Sequence, residues 1–387
     1  MPADRPEPYT AAWLAAHGRH GDPRPAGDAE RGTGHGAVHD EGRGAGDGTD
    51  DGTGAAAGGS GSDVPALLPD DVLVLRALGL GDALTSVAAL RGLRRGFPGR
   101  RLVLAGPAAT GTLLQGLDIV DEVLPVPGLV PLDGVPAGLV AVNLHGRGPA
   151  SHRVLQRTRP SRLIAFAAPQ AGHAGPDWRA DEHEVDRWCR LVQHAGGACT
   201  REDLPLRSRA AADRERYHRA GSGPVLLHPG AASASRHWPA KRWREVAAAL
   251  ADAGRRVLVT GTDAEASLGR AVAAGLPGVE DHTGRHGLAG LSALVRDADL
   301  VLSADTGVAH LATAWCVPSV VLFGPVPPSR WGPAVDTGLH TVLWYGDPDA
   351  GTWGDPHGET LDALLARITV AEVLDAADAH LNPVPAR

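Results

Sequence analysis

The chain has 387 residues, 43% apolar and 21% charged, with 51 glycines and a formal charge of −8; this length suits two domains, because single cores stop growing near ~250–300 residues. Residues 1–63 carry −6 of that charge, and the remainder, with 32 basic against 34 acidic residues, has no electrostatic footprint for nucleic acid. No apolar run approaches the ~20 residues of a membrane-spanning helix, nothing reads as a signal peptide, and Cys189, Cys199 and Cys316 are too scattered for a disulfide scaffold or a Cys-based zinc site.

In chain order, residues 1–66 form the first segment, a Gly/Asp-rich tail expected to be disordered. Fifteen glycines lie between Gly18 and Gly61, and such a stretch buries too little apolar surface to offset the entropy of ordering. Its histidines, His17, His20, His35 and His39, are read as part of a solvated low-complexity segment. Residues 67–205 then show short apolar runs separated by helix-length segments: Val72 to Arg76, Arg101 to Gly106, Asp118 to Val126, Leu139 to Gly146 and Arg162 to Phe166. One helical pattern carries Leu84, Val87, Leu90 and Leu93, and another runs from about Glu184 to His194. The stretch around Arg207 to Ser222 is expected to connect the domains. Residues 206–360 repeat the alternation, with runs at Pro224 to Gly230, Arg255 to Gly261, Ala298 to Gly307 and Pro318 to Pro325. Residues 361–387 hold a final helix, Val370 to His380, expected to pack back on the first domain. Strands alternating with helices predict two parallel α/β units, with ligands at the carboxyl ends of the strands.

Three turns are candidates for chemistry. Leu78-Gly79-Leu80-Gly81-Asp82 follows the first strand, but Leu84 stands where a dinucleotide fingerprint has its third glycine. Asp82 there is either a helix N-cap or a general base facing the cleft. His228 to Pro239 is a loop of small residues with hydroxyls at Ser233 and Ser235 and a guanidinium at Arg236. It suits phosphate through backbone amides and a bidentate fork, or else it is a strand–helix connection with capping serines. Asp305, Thr306 and Gly307 open a helix with His310 one turn along, which is either an anion site or a capped helix with a satisfied histidine. Two such turns after strands of one sheet point together to a diphosphate. Glu265 suits a ribose hydroxyl, or is a solvated first-turn acid. Asp297 with Asp299, and Asp347 with Asp349, have D-x-D spacing but read as turn residues, and no metal site is expected.

The segments VLRALGLGDALTSVAALRGLRRGFPGRRLVLAG, VNLHGRG, LLHPGAASASRHWPAKRW and SADTGVAHLATAWCVPSVVLFGPVPPSRWGP together resemble glycosyltransferase family 9, the ADP-heptose:lipopolysaccharide heptosyltransferase-like enzymes. The likeness runs from about Val72 to Val373. It implies an α/β, GT-B-like fold: two Rossmann-like domains facing a cleft, the N-terminal one for acceptor and the C-terminal one for donor nucleotide. It implies an inverting glycosyltransferase without metal or other cofactor. The enzyme would move a sugar, heptose being the first candidate, from a nucleotide-diphosphate donor such as ADP-heptose to a glycan or small-molecule hydroxyl. By residue, the resemblance makes Asp82 the general base, Arg236 the phosphate contact where the family usually has Lys, and Glu265 the ribose contact. Asp305, Thr306, Gly307 and His310 match the donor-binding signature, and Ser233 and Ser235 belong to the donor loop. Gly81, His145 and Arg147 are candidate acceptor contacts. The alternatives are a non-catalytic nucleotide-sugar-binding protein of this fold and a nucleotide-dependent oxidoreductase or epimerase. A cytoplasmic monomer is expected, with peripheral membrane contact left open.

Overall fold

The structure, a computed structural model, describes residues 66–219, 221–349 and 353–382. The expected disordered tail and its four histidines lie outside the described residues, Ala66 excepted. The first unit runs β1 (Val72–Leu75), α1 (Leu80–Thr85), α2 (Val87–Gly96), β2 (Leu102–Gly106), α3 (Ala108–Gly116), β3 (Glu122–Pro125), β4 (Val140–Asn143), α4 (Ala150–Arg157), β5 (Arg162–Ile164) and α5 (Glu184–His194). The second begins with α6 (Arg209–Arg219), β6 (Val225–His228), α7 (Ala240–Asp252), β7 (Val257–Val259), α8 (Ala266–Ala273) and β8 (Val279–Asp281). It continues with α9 (Leu288–Asp297), β9 (Leu300–Ala304), α10 (Gly307–Ala314), β10 (Ser319–Leu322), α11 (Pro328–Trp331), β11 (His340–Leu343), α12 (Ala363–Arg367) and α13 (Val370–Leu381).

The central strands are apolar without alternation, as parallel strands covered on both faces must be. Val72, Leu73, Val74 and Leu75 of β1 are all fully buried, as are Val225, Leu226 and Leu227 of β6. All strand pairs are parallel, in the orders β3-β2-β1-β4-β5 and β11-β10-β9-β6-β7-β8. Each sheet therefore has the doubly wound order and reverses its winding once, between β1 and β4 and between β6 and β9. These switch points are where such folds open a crevice. The turns leaving those four strands carry Asp82, His145 with Arg147, Arg236, and Asp305 with Thr306.

Three segments differ from expectation. The pattern through Leu84 and Leu93 is two helices, because the Ser86 hydroxyl donates to the Ala83 carbonyl at 2.7 Å and competes with the helical ladder. The expected connection at Arg207 to Ser222 is mostly α6, an Ala/Arg/Glu helix whose propensity is strong but whose apolar stripe is nearly absent. The C-terminal helix is corrected most clearly: α13 packs on the second unit, against α7, β9 and β10, not back on the first. Val373 and Ala377 complete that unit's core beside Trp238 and Trp243. The Trp238 indole holds the chain just before α13 by donating to the Ile368 carbonyl at 3.1 Å.

The two units meet through α1 and α10, and Leu84 and Leu113 of the first share a core with Val308 and Leu311 of the second. The helices approach closely because glycine stands at each crossing. A Cβ at Gly81 would lie 2.8 Å from Cδ2 of His310, and one at Gly307 would lie 2.9 Å from Cβ of Leu80. No helix among the described residues is long and apolar enough to cross a membrane.

Candidate functional site

Asp82 sits in the first turn of α1, where free backbone amides favour a carboxylate. It caps nothing, since Gly79 holds the N-cap position, so the cap reading gives way to a side chain turned outward and 31% exposed. Behind it lies a group that sequence reasoning missed. Arg76, the last residue before the turn, is 1% exposed. It donates to the Asp82 carbonyl at 2.9 Å, to Asp82 Oδ1 at 3.1 Å and to Glu184 Oε1 at 3.1 Å, and it also bonds the Leu144 carbonyl. Burial pushes the Asp82 carboxyl above its ordinary value, the Arg76 cation pulls it back, and Glu184 raises it again. Ionised Asp82 is thus a stronger base than a surface aspartate.

The opposite wall comes from the second unit. Ser233 is extended and leads into a 3₁₀ turn, Ala234–Arg236, that carries the guanidinium inward. Arg236 Nη1 donates to the Asp305 carbonyl at 2.9 Å, joining the β6 turn to the start of α10. Arg236 Nε, Ser235 Oγ and Thr306 Oγ1 are buried without a hydrogen-bond partner. Thr306 is the N-cap of α10, yet its hydroxyl makes no capping bond. Ser235 Oγ lies toward Gly358, 3.8 Å from where a Cβ there would stand. Buried polar groups are nearly always satisfied, so the Thr306 hydroxyl and the guanidinium nitrogen left open at the start of α10 form a site for an anion.

Asp305 is buried in the same corner, and that burial pushes its carboxyl up to about 6, with Arg236 pulling downward. A pKa above the ordinary carboxylate range means that the folded state holds its proton longer. The associated stability is complete below about pH 4 and is lost as pH rises through about 6. Asp305→Asn should therefore raise Tm near pH 7.5 by about 2–4 °C, the response of a domain this size to ~1 kcal/mol, with little gain near pH 4. Equal gains at both pH values would contradict this.

The other predicted residues fall around this pair of walls. Glu265 is brought to the turn after β6, because a Cβ at Gly230 would overlap its carboxylate. Its Oε2 accepts from Thr262 N at 2.7 Å and Thr262 Oγ1 at 3.0 Å. His310 faces the first unit, with Trp331 edge-on at 5.9 Å, and its burial lowers the imidazole to about 4. It lines an interunit void of roughly 10 Å³, the room of one water, with Leu84, Thr85, His183 and Thr313. Gly81 and Gly307 are spacers between helices. His145 follows β4 with its Nδ1 buried and unpartnered, and burial also lowers it to about 4. Arg147 is exposed on the same turn. His183, also missed, ties the units together: Nδ1 accepts from Val185 N at 3.2 Å, and Nε2 bonds the Gly332 carbonyl at 3.0 Å.

Residues 169–345 match the sequence model of glycosyltransferase family 9 (heptosyltransferase), so the likeness read from the motifs holds over that stretch, which carries the whole wall of Arg236, Asp305 and Thr306. The chain is 37% identical over 158 residues to lipopolysaccharide heptosyltransferase 1 of Pseudomonas aeruginosa, covering 39% of this chain and 42% of that relative. It therefore spans less than half the length of that curated relative. Two solved structures share the fold: a family 9 glycosyl transferase from Veillonella parvula, and an E. coli heptosyltransferase with ADP. The first has a TM-score of 0.64 at 18% identity, covering 81% of this chain and 98% of its own. The second has a TM-score of 0.61 at 19% identity, covering 80% and 99%.

Proposed function

We propose that this chain, similar to glycosyltransferase family 9 over residues 169–345, moves a sugar from a nucleotide-diphosphate donor to an acceptor hydroxyl, with inversion and without a metal. One observation carries the reading: a half-buried carboxylate of raised basicity on one switch point faces a buried, unsatisfied anion site on the other. Heptose from ADP-heptose is the donor chemistry to test first, because the P. aeruginosa relative is named a heptosyltransferase and one structural neighbour was solved with ADP.

In this mechanism Asp82 accepts the proton of the acceptor hydroxyl as its oxygen attacks the anomeric carbon. The bond from that carbon to the diphosphate breaks on the opposite face, and the configuration inverts. Arg236, the Thr306 hydroxyl and the free amides of α10 take up the charge that develops on the leaving diphosphate. Glu265 stands beside the donor turn for a ribose hydroxyl. A single base suffices, whereas retention needs a second carboxylate as nucleophile. His145 and Arg147 leave the same sheet edge as Asp82 and are the residues placed for the acceptor.

The test is a thermal-shift panel of ADP, GDP, UDP and dTDP, followed by ADP-heptose turnover with and without EDTA. Saturation at 100 times Kd stabilises by about 2.7 kcal/mol, so ADP should raise Tm measurably, and turnover should survive EDTA. No shift with any nucleotide would remove the donor site. Binding of ADP-heptose without transfer to any acceptor would leave a binding protein of the same fold.

A further inference from the structure

We propose that Arg76 and Glu184 are positioning residues for Asp82: Glu184 shares the Arg76 guanidinium, so that Arg76 orients the base through one oxygen without neutralising it. This rests on the reading of Asp82 as general base. The geometry is that of a shared donor. Arg76 Nη2 reaches Asp82 Oδ1 at 3.1 Å, Glu184 Oε1 at 3.1 Å and Thr85 Oγ1 at 3.3 Å, all longer than the ~2.7–2.9 Å of an unshared charged pair. The other arms are committed to the carbonyls of Asp82 and Leu144, and the guanidinium lies 4.8 Å from the Trp188 ring centroid. Arg76 is therefore locked in place.

Glu184 is locked as well. Its Oε1 also accepts from the Trp188 indole at 2.8 Å, and its Oε2 is paired with Arg187. Asp82 differs from both. Only its Oδ1 is held, and among the described residues no side chain bonds its Oδ2. One oxygen is fixed and one is left to receive a proton, in a side chain that solvent reaches. The remaining charged group acting on the Asp82 carboxyl is Arg236 from the second unit, while His145 and His310 sense Arg76 instead, and a change at Glu184 leaves all three in place.

The experiment is a ¹³C-carboxyl NMR titration of the full chain, with the Asp82 resonance assigned by its loss in Asp82→Asn. In Glu184→Gln the amide oxygen still accepts from Arg76 and Trp188, but the negative charge that competes with Asp82 for the guanidinium is removed. The Asp82 pKa should then fall by about one unit, the size of a nearby-charge effect, while ADP affinity by calorimetry stays unchanged. A Glu184 of merely structural importance would alter Tm and leave that titration where it was, and an unmoved or raised Asp82 pKa would overturn the proposal. Because Glu184→Gln strands Arg187 and could cost folding, the charge-balanced Glu184→Gln/Arg187→Gln pair is measured in parallel, with the same downward shift expected. Turnover reports separately on function: wild-type transfer that survives Asp82→Asn would end the base assignment whatever the titration shows.

Discussion

Asp82→Asn is expected to lower transfer by a factor of 10²–10⁴, about the contribution of a positioned general base, with ADP affinity within about twofold of wild type. Asparagine keeps an oxygen for Arg76, so the turn retains the anchor that holds Asp82 Oδ1 at 3.1 Å. What disappears is the capacity to hold a proton. The anion site is built from Arg236 and the start of α10, on the other unit, and should register the change only weakly. The measurement is kcat with any acceptor that wild type uses, beside calorimetry with ADP. Equal kcat in the two proteins would assign the proton to another group. A matched loss of ADP binding would mean that Asn had disturbed the α1–α10 contact.

The complementary change, Arg236→Ala, should act on binding. A hydrogen bond to a charged group contributes about 1.5–3 kcal/mol, so ADP affinity should fall by about 10–100-fold. Arg236 also holds the Asp305 carbonyl and is the cation that pulls the Asp305 carboxyl downward. Its removal therefore leaves a more exposed helix end beside a more proton-loving acid. Arg236→Lys keeps the charge but has no fork, and should retain more of the affinity than alanine. Calorimetry with ADP on the three proteins, with Tm as a folding control, decides the matter. If alanine binds ADP as wild type does, the diphosphate lies elsewhere.

Much of the fold is legible because β1, β6 and β9 are apolar runs that end abruptly in glycine-containing turns, and such runs have few alternatives to a buried parallel strand. The anion site is legible for the same reason, since Arg236 and Thr306 lie within a few residues of a strand end. The support for Asp82 is not. Arg76 looks like the polar end of a strand, and its partner Glu184 lies 108 residues away on another element. His183 is similarly uninformative until the fold brings the Gly332 carbonyl, 149 residues on, to its ring. The break at Ser86 is hidden because the apolar spacing continues across it. Glycines at Gly81 and Gly307 signal close approach, but the approach is between helices, not toward a ligand.

That pair of glycines bears on the geometry of the proposed reaction. On the proposed mechanism the base is carried by one of the two touching helices, and the other begins at the anion site. On that reading the separation of attacking and leaving groups is gauged like the jaw of a calliper at the glycine crossing, which the His183–Gly332 bond and the Leu113 packing brace. A side chain added at either glycine would shift both jaws together, making these two small positions the shared reference for chemistry built on separate halves of the chain.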